Sequence, residues 1–183
     1  MPSIDERLRR IAFIVCDVDG VVTDGRIWYD AEGRPFRSLH ARDGTGLTLW
    51  RLAGGKSALV SGLGSKAMEA IAAQWQCAEC HMWVKDKAGV CRDMASRHGV
   101  ALDEMAFLGD DVIDIPAFRV VGLAVAVADA AEEARAAAHL VTEAPGGQGA
   151  IRELVRRILN AQGRLADAVA AYHDRGHLGS DDV

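Results

Sequence analysis

Short uncharged runs alternate with longer amphipathic stretches along this chain. Ile11–Cys16, Ser57–Ser61, Met105–Leu108, Leu123–Val127 and His139–Val141 are brief, aliphatic and partly β-branched, which predicts buried strands. Between and after them, Gly44–Leu52, Ser65–Gln76, Asp86–His98, Ile113–Arg119, Ala130–Ala137 and Gly149–Asn160 carry apolar residues at helical spacing. Strands alternating with helices predict an α/β fold, a Rossmann-like parallel sheet with helices on both faces. One segment breaks the alternation. Val21–Leu39 places β-branched and aromatic residues on either side of Asp30-Ala31-Glu32-Gly33, which predicts a β-hairpin flap. The segment from Ala161 reads as helical to about Tyr172 and then turns polar and Gly-rich. Residues 1–183 are therefore expected to form one domain, with the flap at 21–39 and a C-terminal helix and tail at 161–183.

Composition narrows the class. The chain has 183 residues, half of them hydrophobic, enough for a single sizeable core. Its formal net charge is -5 with acids and bases interspersed, and it has no basic run, so nucleic acid is not an expected partner. No apolar stretch approaches eighteen residues, so no membrane span or membrane partner is expected. Met1–Arg10 is charged and lacks the apolar core of a secretory signal, so a cytoplasmic protein with four reduced cysteines is expected.

Open parallel sheets carry their sites beyond the carboxyl ends of the strands, and polar residues follow four apolar segments here. Asp17 and Asp19 end the first strand two residues apart, and Gly20 allows a tight turn after them. Two carboxylates at that spacing repel unless a cation or a proton relieves them, and a divalent metal with oxygen ligands does so. Ser61 and Gly62 end the second strand with a hydroxyl and an unobstructed amide. Lys87 opens a helix, where its ammonium can meet an anion. Gly109-Asp110-Asp111, with Asp114 three residues on, follows the strand at Met105. Each feature alone reads as an ordinary turn, cap or solvated residue; the four together, each beside a strand end, read as a site.

That ordered set, over roughly Ile11 to Asn160, resembles the four signature motifs of the haloacid dehalogenase superfamily. The resemblance implies that Asp17 is a nucleophile forming an aspartyl-phosphate and that Asp19 is the general acid and then the base. It also implies that Ser61 and the Gly62 amide bind the phosphoryl group while Lys87 neutralises charge between it and Asp17. Asp17, Asp110 and the Asp19 carbonyl would hold Mg²⁺, and Asp111 and Asp114 would orient the metal site. The carboxylate at position 19 favours phosphoryl chemistry over dehalogenation, because a halide leaving group needs no acid.

Asp17 and Ser61 are 44 positions apart and Ser61 and Lys87 are 26 apart, which leaves no room for the cap domain many members carry. Val21-Val22-Thr23-Asp24-Gly25, His40-Ala41-Arg42-Asp43-Gly44-Thr45-Gly46, Ala124–Ala130 and Gly146–Glu153 resemble one capless subfamily, the 3-deoxy-D-manno-octulosonate 8-phosphate phosphatases. By that resemblance the chain is a Mg²⁺-dependent phosphatase of a sugar-acid monophosphate. It would assemble as a homotetramer in which flap and tail complete a neighbour's site. A nonulosonate (sialic-type acid) 9-phosphate phosphatase is the alternative substrate class, and a non-catalytic module associated with a sugar-acid cytidylyltransferase is the alternative of another kind. The subfamily's second motif commonly reads Thr-Gly-Arg, and here it is Ser61-Gly62-Leu63. Arg42 is the expected substitute for that arginine, with Lys66, Arg152 and Arg175 as further cations.

Other features read as structure. Cys77-Ala78-Glu79-Cys80-His81 spells a haem-attachment pattern without the export signal it needs. A zinc site on Cys77, Cys80, His81 and Cys91 or His98 lacks a second Cys pair, so small packing residues are expected there. Cys16 is expected to be inert core, Trp28 and Tyr29 to pack in a hairpin interface, and Trp50, Trp75 and Trp83 to be helix and strand core. His40, His173 and His177 are expected to be solvated.

Overall fold

The structure is a computed structural model that describes residues 2–175. Its elements run α1 (Ile4–Arg10), β1 (Phe13–Asp17), a helical turn at Val18–Val22, β2 (Trp28–Tyr29), β3 (Pro35–Phe36), α2 (Ala41–Leu52), β4 (Lys56–Val60), α3 (Lys66–Gln74), β5 (Glu79–His81) and α4 (Lys87–His98). They continue with β6 (Met105–Gly109), α5 (Ile115–Phe118), β7 (Leu123–Ala126), α6 (Glu132–Ala137), β8 (Leu140–Val141), α7 (Ala150–Ala161) and α8 (Leu165–Arg175). The sheet order is β5-β4-β1-β6-β7-β8, every pair parallel. The strand carrying Asp17 is thus internal, flanked by β4 and β6, which lead to Ser61 and Asp110.

The core follows from the apolar runs. All five residues of β1 and of β6 are buried, as expected of strands covered on both faces. On one side α2 packs on α7 and α8, and α1 packs on α7; α4 packs on α5 in a second group. The α2–α7 contact is fastened by the fully buried Asp43, whose carboxylate accepts from the N–H groups of Gly149 (3.1 Å) and Arg152 (2.9 Å) at the start of α7. Burial raises the Asp43 pKa, and those backbone donors oppose the rise. The His40–Gly46 motif is therefore a structural brace at its aspartate.

Three elements differ from the sequence expectation. The hairpin is shorter than 21–39: only Trp28 with Phe36 and Tyr29 with Pro35 pair, while Val21 and Val22 are buried in the helical turn after β1. The strand β5 and the helix α1 have no counterpart among the predicted elements. Helix α1 is secured by a capping box, with the Ser3 hydroxyl accepting from the Glu6 N–H and Glu6 accepting from the Ser3 N–H. The tail beyond 175, with His177, and the Arg175 side chain lie outside the described residues.

Candidate active site

Asp17 ends β1, and its carboxylate is 4% exposed. Lys87, in the first turn of α4, sends its buried ammonium to Asp17 at 2.7 Å and to Asp114 at 2.6 Å. Asp114 is completely buried; its second oxygen accepts from the backbone N–H of Asp110 (2.9 Å) and of Asp111 (3.3 Å). Ligand oxygens of Asp17, Asp110 and Asp114 all lie within 4.8 Å of one another, the one such cluster among the described residues. Three carboxylates thus face one ammonium.

The electrostatics follow that imbalance. Burial pushes the Asp17 carboxyl up, the neighbouring Asp114 charge adds to the rise, and Lys87 pulls it back, leaving it at about 6. Asp110 is driven to about 8 by burial and by Asp17 and Asp114. Burial alone would lower the Lys87 pKa, but the two aspartates outweigh it and raise it. An excess of ionisable oxygen that the protein itself does not neutralise fits a hard divalent cation. Gly20 (φ +95°) makes room at this point, since a Cβ there would overlap the Asp110 carboxylate.

Asp19 faces another way. Its carboxylate pairs with the buried Arg37, which follows β3, and accepts from the Ser61 hydroxyl at 3.3 Å. The carboxylate beside Asp17 and Asp110 is thus that of Asp114, while Asp19 turns its carboxylate to Arg37 and Ser61. Asp111 is exposed and caps the turn Val112–Asp114 with its own side chain, accepting from Val112 N–H at 2.7 Å. Ser61 is 2% exposed and also accepts from the Leu63 N–H, while Gly62 is open to solvent. Asp17, Asp19, Ser61, Lys87, Asp110 and Asp114 are thus brought to one end of the sheet. Arg42 makes no hydrogen bond or ion pair with them among the described residues. It lines a recess of about 370 Å³ with Gln148, Arg152, Arg156, Glu143 and Glu153. Within that recess the Arg152 Nη1 is buried with no hydrogen-bond partner among the described residues.

Sequence reasoning missed Arg37, one of three arginines in the flap; its position just after the aromatic strand residues is the one signal of it. The Gly146–Gly149 segment backs the turn that follows β1. Gly147 N–H donates to the Val21 carbonyl at 2.8 Å, and a Cβ on Gly146 would overlap the Gly20 carbonyl. Asp129 holds that segment by accepting from the Gly146 N–H at 2.9 Å. The cysteines are thiols in apolar surroundings: burial raises all four, Cys77 to about 11 and Cys91 to about 12. His81 and His98 both turn to Glu79 rather than to a cysteine. Trp83 is not core; it is 72% exposed, and Trp28 and Tyr29 are exposed as well.

A model of haloacid dehalogenase-like hydrolases matches residues 59–154. The chain is 37% identical over 161 residues to the 3-deoxy-D-manno-octulosonate 8-phosphate phosphatase KdsC of Haemophilus influenzae, covering 88% of this chain and 89% of that protein. The phosphatase of the same name from Yersinia pestis superposes with a TM-score of 0.87 at 33% identity, covering 89% of this chain and 88% of that one. The Moraxella catarrhalis phosphatase, solved with a magnesium ion, a phosphate ion and a KDO molecule, superposes with a TM-score of 0.89 at 29% identity, covering 92% and 97%. The matched range 59–154 includes Ser61, Lys87, Asp110 and Asp114. The chain therefore belongs to the haloacid dehalogenase-like hydrolases, as a capless phosphoric monoester hydrolase resembling the 3-deoxy-D-manno-octulosonate 8-phosphate phosphatases.

Proposed function

We propose that this chain hydrolyses 3-deoxy-D-manno-octulosonate 8-phosphate in the cytoplasm through an aspartyl-phosphate on Asp17. The observation that carries the reading is the Lys87 ammonium held between Asp17 and Asp114, which cluster with Asp110 at the end of the sheet that also carries the Asp19–Ser61 pair. The magnesium and KDO of the Moraxella structure support the metal and the substrate class.

Asp17 and Asp110 would hold Mg²⁺, with the Asp19 carbonyl as the family resemblance implies. The bound metal supplies positive charge that offsets the phosphoryl oxygens and the nucleophile. The remaining steps fall to the chain's own groups. Lys87 keeps Asp17 aligned and lowers the repulsion between the carboxylate and an incoming dianion. An Asp17 oxygen attacks phosphorus, the bond to the ester oxygen breaks, and Asp19 gives that oxygen its proton. Asp19 then takes a proton from water as the water oxygen attacks the phosphorus, and the acyl-phosphate bond breaks to release inorganic phosphate and free Asp17. Ser61 donates a hydrogen bond to the phosphoryl group, in place of the one it gives Asp19 in the free enzyme. Asp114 orients Lys87 and the Asp110–Asp111 backbone. Asp111 shapes the turn at the metal's edge.

Leu63 favours a second reading. It leaves an apolar, 44% exposed side chain where the octulosonate enzymes commonly carry an arginine, which removes one contact expected for the octulosonate and leaves a nonulosonate 9-phosphate as the alternative substrate. A phosphate-release panel separates the two. The expected result is the highest kcat/KM on octulosonate 8-phosphate. A preference for a nonulosonate 9-phosphate overturns the substrate, and no turnover on any phosphate compound, simple sugar phosphates and acetyl phosphate included, returns the chain to the non-catalytic module.

A further inference from the structure

Trp83 stands out among the described residues. It combines 72% exposure with a φ of +61°, a left-handed conformation that bulky side chains avoid. Gln76 shares that conformation, but it lies just past α3, where such a turn routinely ends a helix. Trp83 ends no helix. It is held instead by the catalytic loop. Ser61 N–H donates to the His81 carbonyl and Val84 N–H donates to the Ser61 carbonyl, both at 2.9 Å. The segments 61–64 and 81–84 are therefore tied side by side, and the indole lies on Gly64, where any Cβ would overlap the ring. Leu63, next to Gly64, is exposed beside it. Val84, next to Trp83, donates to the Ser61 carbonyl, and Leu63 N–H donates to the Ser61 hydroxyl at 3.0 Å, so both apolar residues border the phosphoryl end of the site.

Strained residues kept in place by their surroundings cluster at ligand clamps. A tryptophan offers a large rigid apolar face at low rotamer cost. We infer that Trp83, with Leu63, is a specificity-determining wall that receives the carbon skeleton of the substrate, an apolar C–H face of a sugar ring lying on the indole. This rests on the sugar-acid phosphate reading above. The wall takes no part in the phosphoryl chemistry, so its effect scales with how far the esterified group extends beyond the phosphate.

The test is steady-state kinetics of the Mg²⁺-loaded enzyme on octulosonate 8-phosphate and on acetyl phosphate, whose acyl group is too short to lie along the wall. Trp83→Gly is the informative variant, because glycine adopts the left-handed conformation without strain and keeps the fold, which its thermal midpoint checks. Its ratio of kcat/KM for octulosonate 8-phosphate over acetyl phosphate is expected to fall roughly tenfold, through KM rather than kcat. Trp83→Phe, which retains a ring, recovers most of the ratio. An unchanged ratio in Trp83→Gly, whether both activities fall or neither does, overturns the inference. A wild-type enzyme that cleaves acetyl phosphate but no sugar-acid phosphate fails at the earlier step and overturns the substrate reading, and this inference with it.

Discussion

At the scale of single residues, the site is a problem of unbalanced charge. Asp17, Asp110 and Asp114 cluster with a single ammonium that pairs with two of them, and the buried Asp114 has the most partners, with Lys87 and two backbone N–H groups on its oxygens. Removing Asp114 leaves Lys87 its ion pair with Asp17 but strands the N–H groups of Asp110 and Asp111, and each buried donor left unsatisfied costs about 1–3 kcal/mol. Asp114→Ala is expected to lose stability of that order in urea denaturation as well as activity; an Asp114→Ala protein as stable as wild type would show that those N–H groups are satisfied without it. Much of this chemistry is legible in the sequence, because Asp17, Ser61 and Asp110 each stand at the end of an apolar run. Arg37 is not, since its partner Asp19 is 18 positions away and only the folded flap brings them together. Trp83 misleads for a similar reason. Met82-Trp83-Val84 is an apolar triplet that reads as strand, yet the β5 ladder stops at His81 and the next turn is left-handed.

At the scale of elements, the sheet is the legible part and its margins are not. The internal strands have the uninterrupted apolar runs that double burial demands. Edge strand β5 has three half-buried residues, and what fixes it is a polar network: Glu79 accepts from Arg97 (2.6 Å), His81 (2.5 Å) and His98 (2.7 Å). Burial would raise the Glu79 pKa, but those donors outweigh it and bring it down to about 2. Helix α1 shows one buried apolar residue, Leu8, so periodicity misses it, although Ser3 and Glu6 spell its capping box. The hairpin is the element with unfinished packing. Trp28, Tyr29 and Phe36 are all more than half exposed on strands of two residues each. A two-stranded ribbon is marginal in water, and contiguous exposed aromatics mark contact surfaces. We expect sedimentation at micromolar concentration to give a homotetramer, and Trp28→Ser with Phe36→Ser to shift it to smaller species. A wild-type monomer would contradict this role for the hairpin.

At the scale of the whole molecule, the order β5-β4-β1-β6-β7-β8 explains why residues from 17 to 114 share one site: the candidate catalytic side chains follow three adjacent parallel strands and open the helix after β5. No helix among the described residues is long and apolar enough to cross a membrane. The acidic cluster also links the site to global stability. A carboxyl whose folded-state pKa is raised contributes stability that is complete below its unfolded value, near 4, and is lost as pH climbs through the folded value. For Asp17 that window runs from about 4 to about 6, and for Asp110 from about 4 to about 8. The metal-free protein should therefore lose stability across those windows. Mg²⁺, which binds the ionised cluster, should raise the thermal midpoint more at about pH 8.5 than at about pH 5.5. A Mg²⁺ shift independent of pH would separate the metal from these carboxyls.

The central claim is that Asp17 is the metal-assisted nucleophile of a sugar-acid phosphatase. It is tested most directly by phosphate release from octulosonate 8-phosphate by wild type and Asp17→Asn, with Mg²⁺ and with EDTA. The prediction is turnover by wild type that EDTA abolishes, and a loss of roughly three orders of magnitude or more in Asp17→Asn at an unchanged fold. Near-normal turnover by Asp17→Asn would contradict it.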